Sequence, residues 1–109
     1  MEDKMEKGKV FKIAEKTAYQ SAGIVSSELI RTENGTITIF AFDQGQGLSE
    51  HTAPFDAFVT ILEGTAEVTL GGTPHSLSSG EAVIMPAGIA HSVRAIEPFR
   101  MLLVLLKTS

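Results

Sequence analysis

In this chain apolar residues come in short alternating runs, each closed by a glycine-containing turn, and that habit excludes most architectures. In TAEVTL, residues 65–70, Ala66, Val68 and Leu70 fall on one side and Thr65, Glu67 and Thr69 on the other. That is the period-two pattern of a strand with one buried face. Gly71-Gly72 then supplies a reversal. AFVTILEG at 57–64 and EAVIMPAG at 81–88 repeat the arrangement. In RTENGTITIF, residues 31–40, Asn34-Gly35 separates two strand-like runs and predicts a type I′ hairpin, whose two central residues need positive φ. Asn34-Gly35-Thr36 also matches a glycosylation sequon, but without a secretory signal the turn is the better reading. FRMLLVLLK, residues 99–107, is apolar on both faces and belongs either in the middle of a layered structure or under a second subunit. Only Lys9–Tyr19 has helical character. Roughly seven to nine short strands are expected, which points to an all-β sandwich or small barrel.

A chain of 109 residues is one domain, here expected to span 1–109 with residues 1–8 flexible. Absence of cysteine excludes disulfides, thiolate nucleophiles and cysteine-based metal sites, and suits a reducing compartment. The start, MEDKMEKGKVFKIAEK, mixes both charge signs around no apolar core, so no signal peptide is read and a cytoplasmic protein is expected. MLLVLL, residues 101–106, is far too short to span a bilayer, so no membrane partner is expected. Net charge is −4, and five of the nine basic residues lie in the first sixteen positions. From Thr17 onward Arg31, Arg94, Arg100 and Lys107 face nine acidic residues, and no basic stripe suits a phosphate backbone. Nucleic acid is therefore not an expected partner.

Two segments carry more specific information. GQGLSEHTAPFDAFVTILEG, residues 45–64, places five residues between Gly45 and His51 and ends at Gly64. GEAVIMPAGIAH, residues 80–91, runs from Gly80 through Pro86 and Gly88 to His91. In order and spacing the two resemble the paired motifs of the cupin superfamily, a double-stranded β-helix or jelly-roll barrel. The resemblance covers about 36–107 and implies that fold, preceded by a short N-terminal strand or helix extension. Metal-binding cupins resemble one another in holding a first-row metal with three histidines and a glutamate. Here the second histidine position is Ala53, the glutamate position Ala57 and the trailing asparagine position Ala95. His51 and His91 are what is left of that set.

Strand alternation puts 51 and 53 on one face, and 91, 93 and 95 on another common face. If His51 faces inward, the alanines line the same cavity, and the expected pocket comprises Ala53, Ala57, Ala95, Phe42 and Met85 with two imidazoles on its wall. Phe40, Phe55, Phe58 and Met101 are read first as core. Two imidazoles make an incomplete metal site, since catalytic zinc keeps three protein ligands and non-haem iron two histidines and a carboxylate. Asp56 is the candidate third ligand, because Pro54 can break the strand and rotate the residues after it. Glu50 should point away from His51, Gln44 and Gln46 are poor ligands, and His75 reads as a solvated turn residue. GQGLSE lacks the third glycine of a dinucleotide fingerprint. Ser49 has no base and orienting acid to make it a nucleophile.

These residues fit two functions. One is a pocket that binds a divalent metal (Zn, Ni, Mn or Fe) and/or a small-molecule ligand through His51, His91 and Asp56, with oxygenase, isomerase or decarboxylase chemistry as the family's range. The other is a metal-free cupin that binds a small molecule or serves as a structural dimer. No catalytic acid or base is identifiable beyond the histidines. Exposed sheet edges in a small barrel favour pairing, and MLLVLL with GIVSSELI, residues 23–30, are the expected faces of a homodimer.

Overall fold

The computed structural model describes residues 6–107. The expectation of a flexible start at 1–8 lies outside the described residues for positions 1–5. Among the described residues nine strands come after a single 3-10 turn at Ile13–Lys16: β1 (Ile24–Thr32), β2 (Gly35–Phe42), β3 (Gly47–His51), β4 (Asp56–Glu63), β5 (Thr65–Leu70), β6 (Thr73–Ser78), β7 (Ala82–Met85), β8 (His91–Ala95) and β9 (Phe99–Leu106). They form two facing sheets, ordered β1-β2-β9-β4-β7 and β3-β8-β5-β6, whose strand pairs are all antiparallel. This is the jelly-roll barrel that the motifs imply.

Two local expectations are corrected. The helical stretch at Lys9–Tyr19 shrinks to the 3-10 turn, which begins without a side-chain cap and ends where Thr17 turns extended. So short a segment cannot repay helix nucleation. The β1–β2 hairpin exists, but Thr32 pairs with Gly35, so the turn is Glu33-Asn34, and neither has positive φ. The Thr32 hydroxyl instead accepts from the Asn34 N–H at 3.1 Å. Gly35 is needed for close approach, because a Cβ there would lie 2.3 Å from the Leu105 carbonyl oxygen. The type I′ geometry falls on Gly71-Gly72, with φ of 53° and 86° between Leu70 and Thr73.

β9 occupies the middle of its sheet, between β2 and β4. Phe99, Met101, Leu103 and Leu105 point into the barrel, opposite Ile61, Val59 and Ala57 of β4. Phe99 stacks on Phe42 with ring centroids 4.6 Å apart and planes 6° from parallel. Both are fully buried and, with Ile61, Ala66, Val68 and Ala95, they fill one end of the barrel. Toward the other end the inward side chains shrink, Ala57 being the clearest case, and the filling stops short.

The outer face of the same sheet is apolar too. Cross-strand register aligns Ile30, Ile37, Val104, Phe58 and Ile84, one from each strand, into a continuous row. Ile30, Phe58 and Ile84 are 48, 39 and 62% exposed. β9 is thus apolar on both sides because one side faces the core and the other this row.

An N-terminal strap lies over the sheet near its filled end. Arg100 donates through Nε to the Thr17 carbonyl at 3.1 Å, pairs with Glu63 and stacks on the Tyr19 ring at 4.4 Å. The Tyr19 hydroxyl donates to Glu63 at 2.9 Å. Burial first, then this bond and the charge of Glu63, push the Tyr19 phenol up from 10.0 to about 12. The chain has one tyrosine, so an absorbance titration reads it alone. A midpoint near 12 is expected in the folded protein. Because the folded value is the higher, the stabilisation is complete below pH 10 and disappears as pH rises through about 12. Titration of the folded protein at the ordinary value of 10.0 would mean that the strap does not hold Tyr19.

Candidate functional site

The unfilled end holds both motif histidines. His51, the last residue of β3, pairs directly with His91, the first of β8. Between Leu48 and His51 the register slips, three steps on β3 matching two on β8. Regular alternation would put Leu48 and His51 on opposite faces; the bulge lets both reach the interior, where both line the cavity. His91 is delivered by the turn at 86–89. The Gly88 N–H donates to the Ala53 carbonyl at 2.8 Å, and the Ala87 N–H donates to Asp56 Oδ1 at 2.8 Å.

The rings meet edge to face with centroids 4.3 Å apart, and their Nε2 atoms are 3.0 Å from each other. Each Nδ1 is held by the carbonyl two residues upstream: Ser49 for His51 at 2.7 Å and Ile89 for His91 at 3.2 Å. A carbonyl only accepts, so each Nδ1 carries the hydrogen. In the neutral state both Nε2 atoms are then bare lone pairs directed at one another. Such a pair calls for something electropositive between or beside its nitrogens: a shared proton, a cation or a ligand hydrogen-bond donor.

Around the pair lies a cavity of about 210 Å³. Its wall combines Ala53 and Ala57 with Met85, Met101, Phe55 and the inward side of β9, and the histidines are its sole titratable residues. His91 is 5% exposed, whereas His51 is exposed and marks the mouth. Burial, reinforced by His51, lowers the His91 pKa below 6.5, and the Ile89 carbonyl opposes this only in part. The ring-proton NMR signals of His91 are expected to titrate with a midpoint below 6.5. Since the folded value is the lower, the associated stability is full above pH 6.5 and is lost as pH falls through the depressed value. A midpoint at the ordinary value of 6.5 would mean the ring is solvated rather than enclosed.

Of the residues expected at the site, His51, His91, Ala53, Ala57 and Met85 line the cavity. Phe42 and Ala95 do not: both belong to the packed end, 0 and 2% exposed. Asp56 is also displaced. Strand β4 begins at Asp56 and alternates from its first residue, so Ala57 points in and Asp56 points out, clasping the Ala87 turn. Among the described residues no group of three or more His, Cys, Asp or Glu is placed to hold a metal ion. The donor set is thus two imidazole nitrogens, one short of the three protein ligands of a catalytic zinc, and it does not make a complete metal centre. Val93, on the same face as His91 by strand alternation, lines the cavity too, as do Leu48, Leu103 and Leu105, which were not expected there. The inward period of β9 carries a signal for the last two; the bulge that admits Leu48 beside His51 leaves none.

Comparison with known proteins agrees with this architecture. Residues 38–105 match the profile of the cupin domain family Cupin_2. The crystal structure of the conserved protein SPY1581 of unknown function from Streptococcus pyogenes superposes with a TM-score of 0.92 at 36% identity, covering 98% of this chain and 94% of that one. A cupin 2 conserved barrel domain protein from Leptotrichia buccalis gives a TM-score of 0.86 at 41% identity, covering 89% of this chain and 47% of that one. The uncharacterized protein SCO3923 of Streptomyces coelicolor is 29% identical over 92 residues, which are 84% of this chain and 85% of its own.

Proposed function

We propose, since this chain belongs to the cupin family, that it is a small-molecule binding cupin whose His51–His91 pair grips the one polar group of an otherwise apolar ligand. The observation that carries this reading is the convergence of two bare Nε2 atoms at 3.0 Å inside a cavity whose remaining lining is apolar. Pockets of this kind take their affinity from apolar burial and their orientation from a few placed polar groups. Among the described residues, those lining the cavity include no titratable side chain beyond the two imidazoles, which favours binding as the primary role.

The test is a titration of labelled methyl groups. Naphthalene, an apolar probe, is expected to shift the NMR signals of Met85, Met101, Ala53 and Ala57 while leaving Ala66 and Ala95 at the packed end unmoved. Ala53→Phe, which fills the mouth, should abolish the shifts. Shifts spread evenly over the surface would overturn the reading.

A second reading is favoured by the same convergence: the pair supplies two positions of a divalent ion's shell, and solvent or ligand supplies the rest. With two neutral protein ligands this binding is weak. A second copy of the chain is the partner that fits the outer row of Ile30, Ile37, Val104, Phe58 and Ile84. A stable pairing there would bury upward of about 1,200 Å² in total. Light scattering on the eluting protein is expected to give the dimer mass, and Phe58→Glu with Ile84→Glu the monomer mass. A monomer mass for the unaltered chain at every concentration would exclude the pairing.

A further inference from the structure

The geometry points to an uncharged aromatic alcohol, of one or two rings with a free hydroxyl, as the class of ligand that this cavity takes. The inference rests on the pocket reading above and adds the chemical identity of the occupant. Three observations carry it.

The first is the polarity of the anchor. Both Nδ1 hydrogens are committed to backbone carbonyls, of Ser49 and of Ile89. Both Nε2 atoms therefore meet as acceptors, 3.0 Å apart, at the wall of the cavity. A ligand carbonyl, ether or carboxylate would bring a third lone pair to two already opposed. A hydroxyl brings the missing hydrogen, and a phenolic hydroxyl is the better donor because its O–H is the more polarised. One such hydrogen reaches either nitrogen or is shared between the two.

The second is charge. No lysine or arginine lines the cavity. Arg94, the nearest in sequence to His91, lies exposed on β8, on the alternate face from inward Val93 and Ala95. Lys107 stands over the Phe55 ring, 5.7 Å from its centroid. It meets the ring's face rather than the histidine pair. A carboxylate entering here would lose its hydration without a fixed countercharge at the anchor.

The third is size and surface. An apolar cavity of about 150 Å³ admits benzene, so one of about 210 Å³ suits a substituted or fused ring. Met85 and Met101 present thioethers, which adapt to and contact aromatic edges favourably. Phe55 adds an aromatic face at the same wall.

Calorimetric titration of the whole chain at pH 7.5 with 2-naphthol, 2-methoxynaphthalene and 2-naphthoate tests this with three ligands of nearly equal shape. The phenol is expected to bind about tenfold more tightly than its methyl ether, the worth of one well-formed hydrogen bond, and the carboxylate most weakly. His51→Ala and His91→Ala should each cut the phenol-to-ether ratio toward one while the ether still binds, which also certifies that the barrel has folded. Equal affinities for phenol and ether would overturn the donor inference and leave the pocket reading standing. Naphthoate as the tightest ligand would overturn it in favour of an anion held by Lys107 or by a proton shared within the pair. Binding of none of the three would overturn the pocket reading along with it.

Discussion

Ala53→His combined with Ala57→Glu is expected to turn the cavity into a tight divalent-metal site, raising zinc or nickel affinity more than about 100-fold over the unaltered chain. Both alanines already line the cavity that holds His51 and His91. They also stand at the motif positions where metal-binding cupins place their remaining ligands. Adding an imidazole and a carboxylate would complete the three-histidine, one-glutamate set and supply the negative charge that two neutral rings lack. The same change should destabilise the metal-free protein by about 2 kcal/mol or more. Position 57 is 2% exposed, and a carboxylate there has no partner until metal arrives. Thermal unfolding with and without chelator checks both halves at once, since the variant's Tm should depend strongly on metal and the parent's should not. An unaltered affinity in the variant would mean that positions 53 and 57 do not aim at the point where the histidines converge.

Gly64→Ala is expected to cost more than about 4 kcal/mol, an exceptional loss for one methyl group. Gly64 closes the first motif between β4 and β5 at φ of +82°. A left-handed conformation alone costs an L-residue about 1–2 kcal/mol. The larger part is steric. A Cβ at this position would lie 2.1 Å from the Pro98 carbonyl oxygen and 2.8 Å from the Phe99 Cα. Those are backbone atoms, and Phe99 is pinned by its stack on Phe42, so nothing nearby can yield cheaply. Gly72→Ala provides the comparison: φ is +86°, but no atom lies within 4 Å of the added carbon. That variant should lose only the conformational term of about 1–2 kcal/mol. Urea unfolding of the two variants separates strain from collision. Equal losses would show that the close approach at Pro98 is not part of the folded protein.

Much of the barrel is legible in the sequence because its signals are local. Alternation in TAEVTL, the Gly71-Gly72 reversal and the spacing from Gly80 through Pro86 to His91 depend only on neighbours along the chain. Ala57 and Met85 can be assigned to the cavity for the same reason, since each lies on a regular strand that alternates about an inward residue. Where a local pattern is ambiguous the assignment slips. Asn34-Gly35 reads as a type I′ turn, yet Gly35 is there because the Leu105 carbonyl, seventy residues away, passes too close for a side chain. Pro54 suggests that Asp56 turns inward, but pairing with β9 and β7 restores the alternation and sends it out to Ala87. Phe42 and Ala95 share the inward face with the site, but they stand too far along the barrel to reach it.

The strand pattern, the cupin motif frame and the retention of histidine at two of the four usual metal-ligand positions are legible from residue order alone, because each is a matter of residue type at a fixed spacing. What those two histidines can do depends on how the strands come together in space. The bulge in β3 brings His51 inward beside Leu48, the direct pairing of His51 with His91 sets their nitrogens 3.0 Å apart, and two upstream carbonyls take both Nδ1 hydrogens. None of these is encoded at any one position. They arise when strands forty residues apart adopt a common register, and that register is selected by burial of the whole inner face rather than by the histidines themselves.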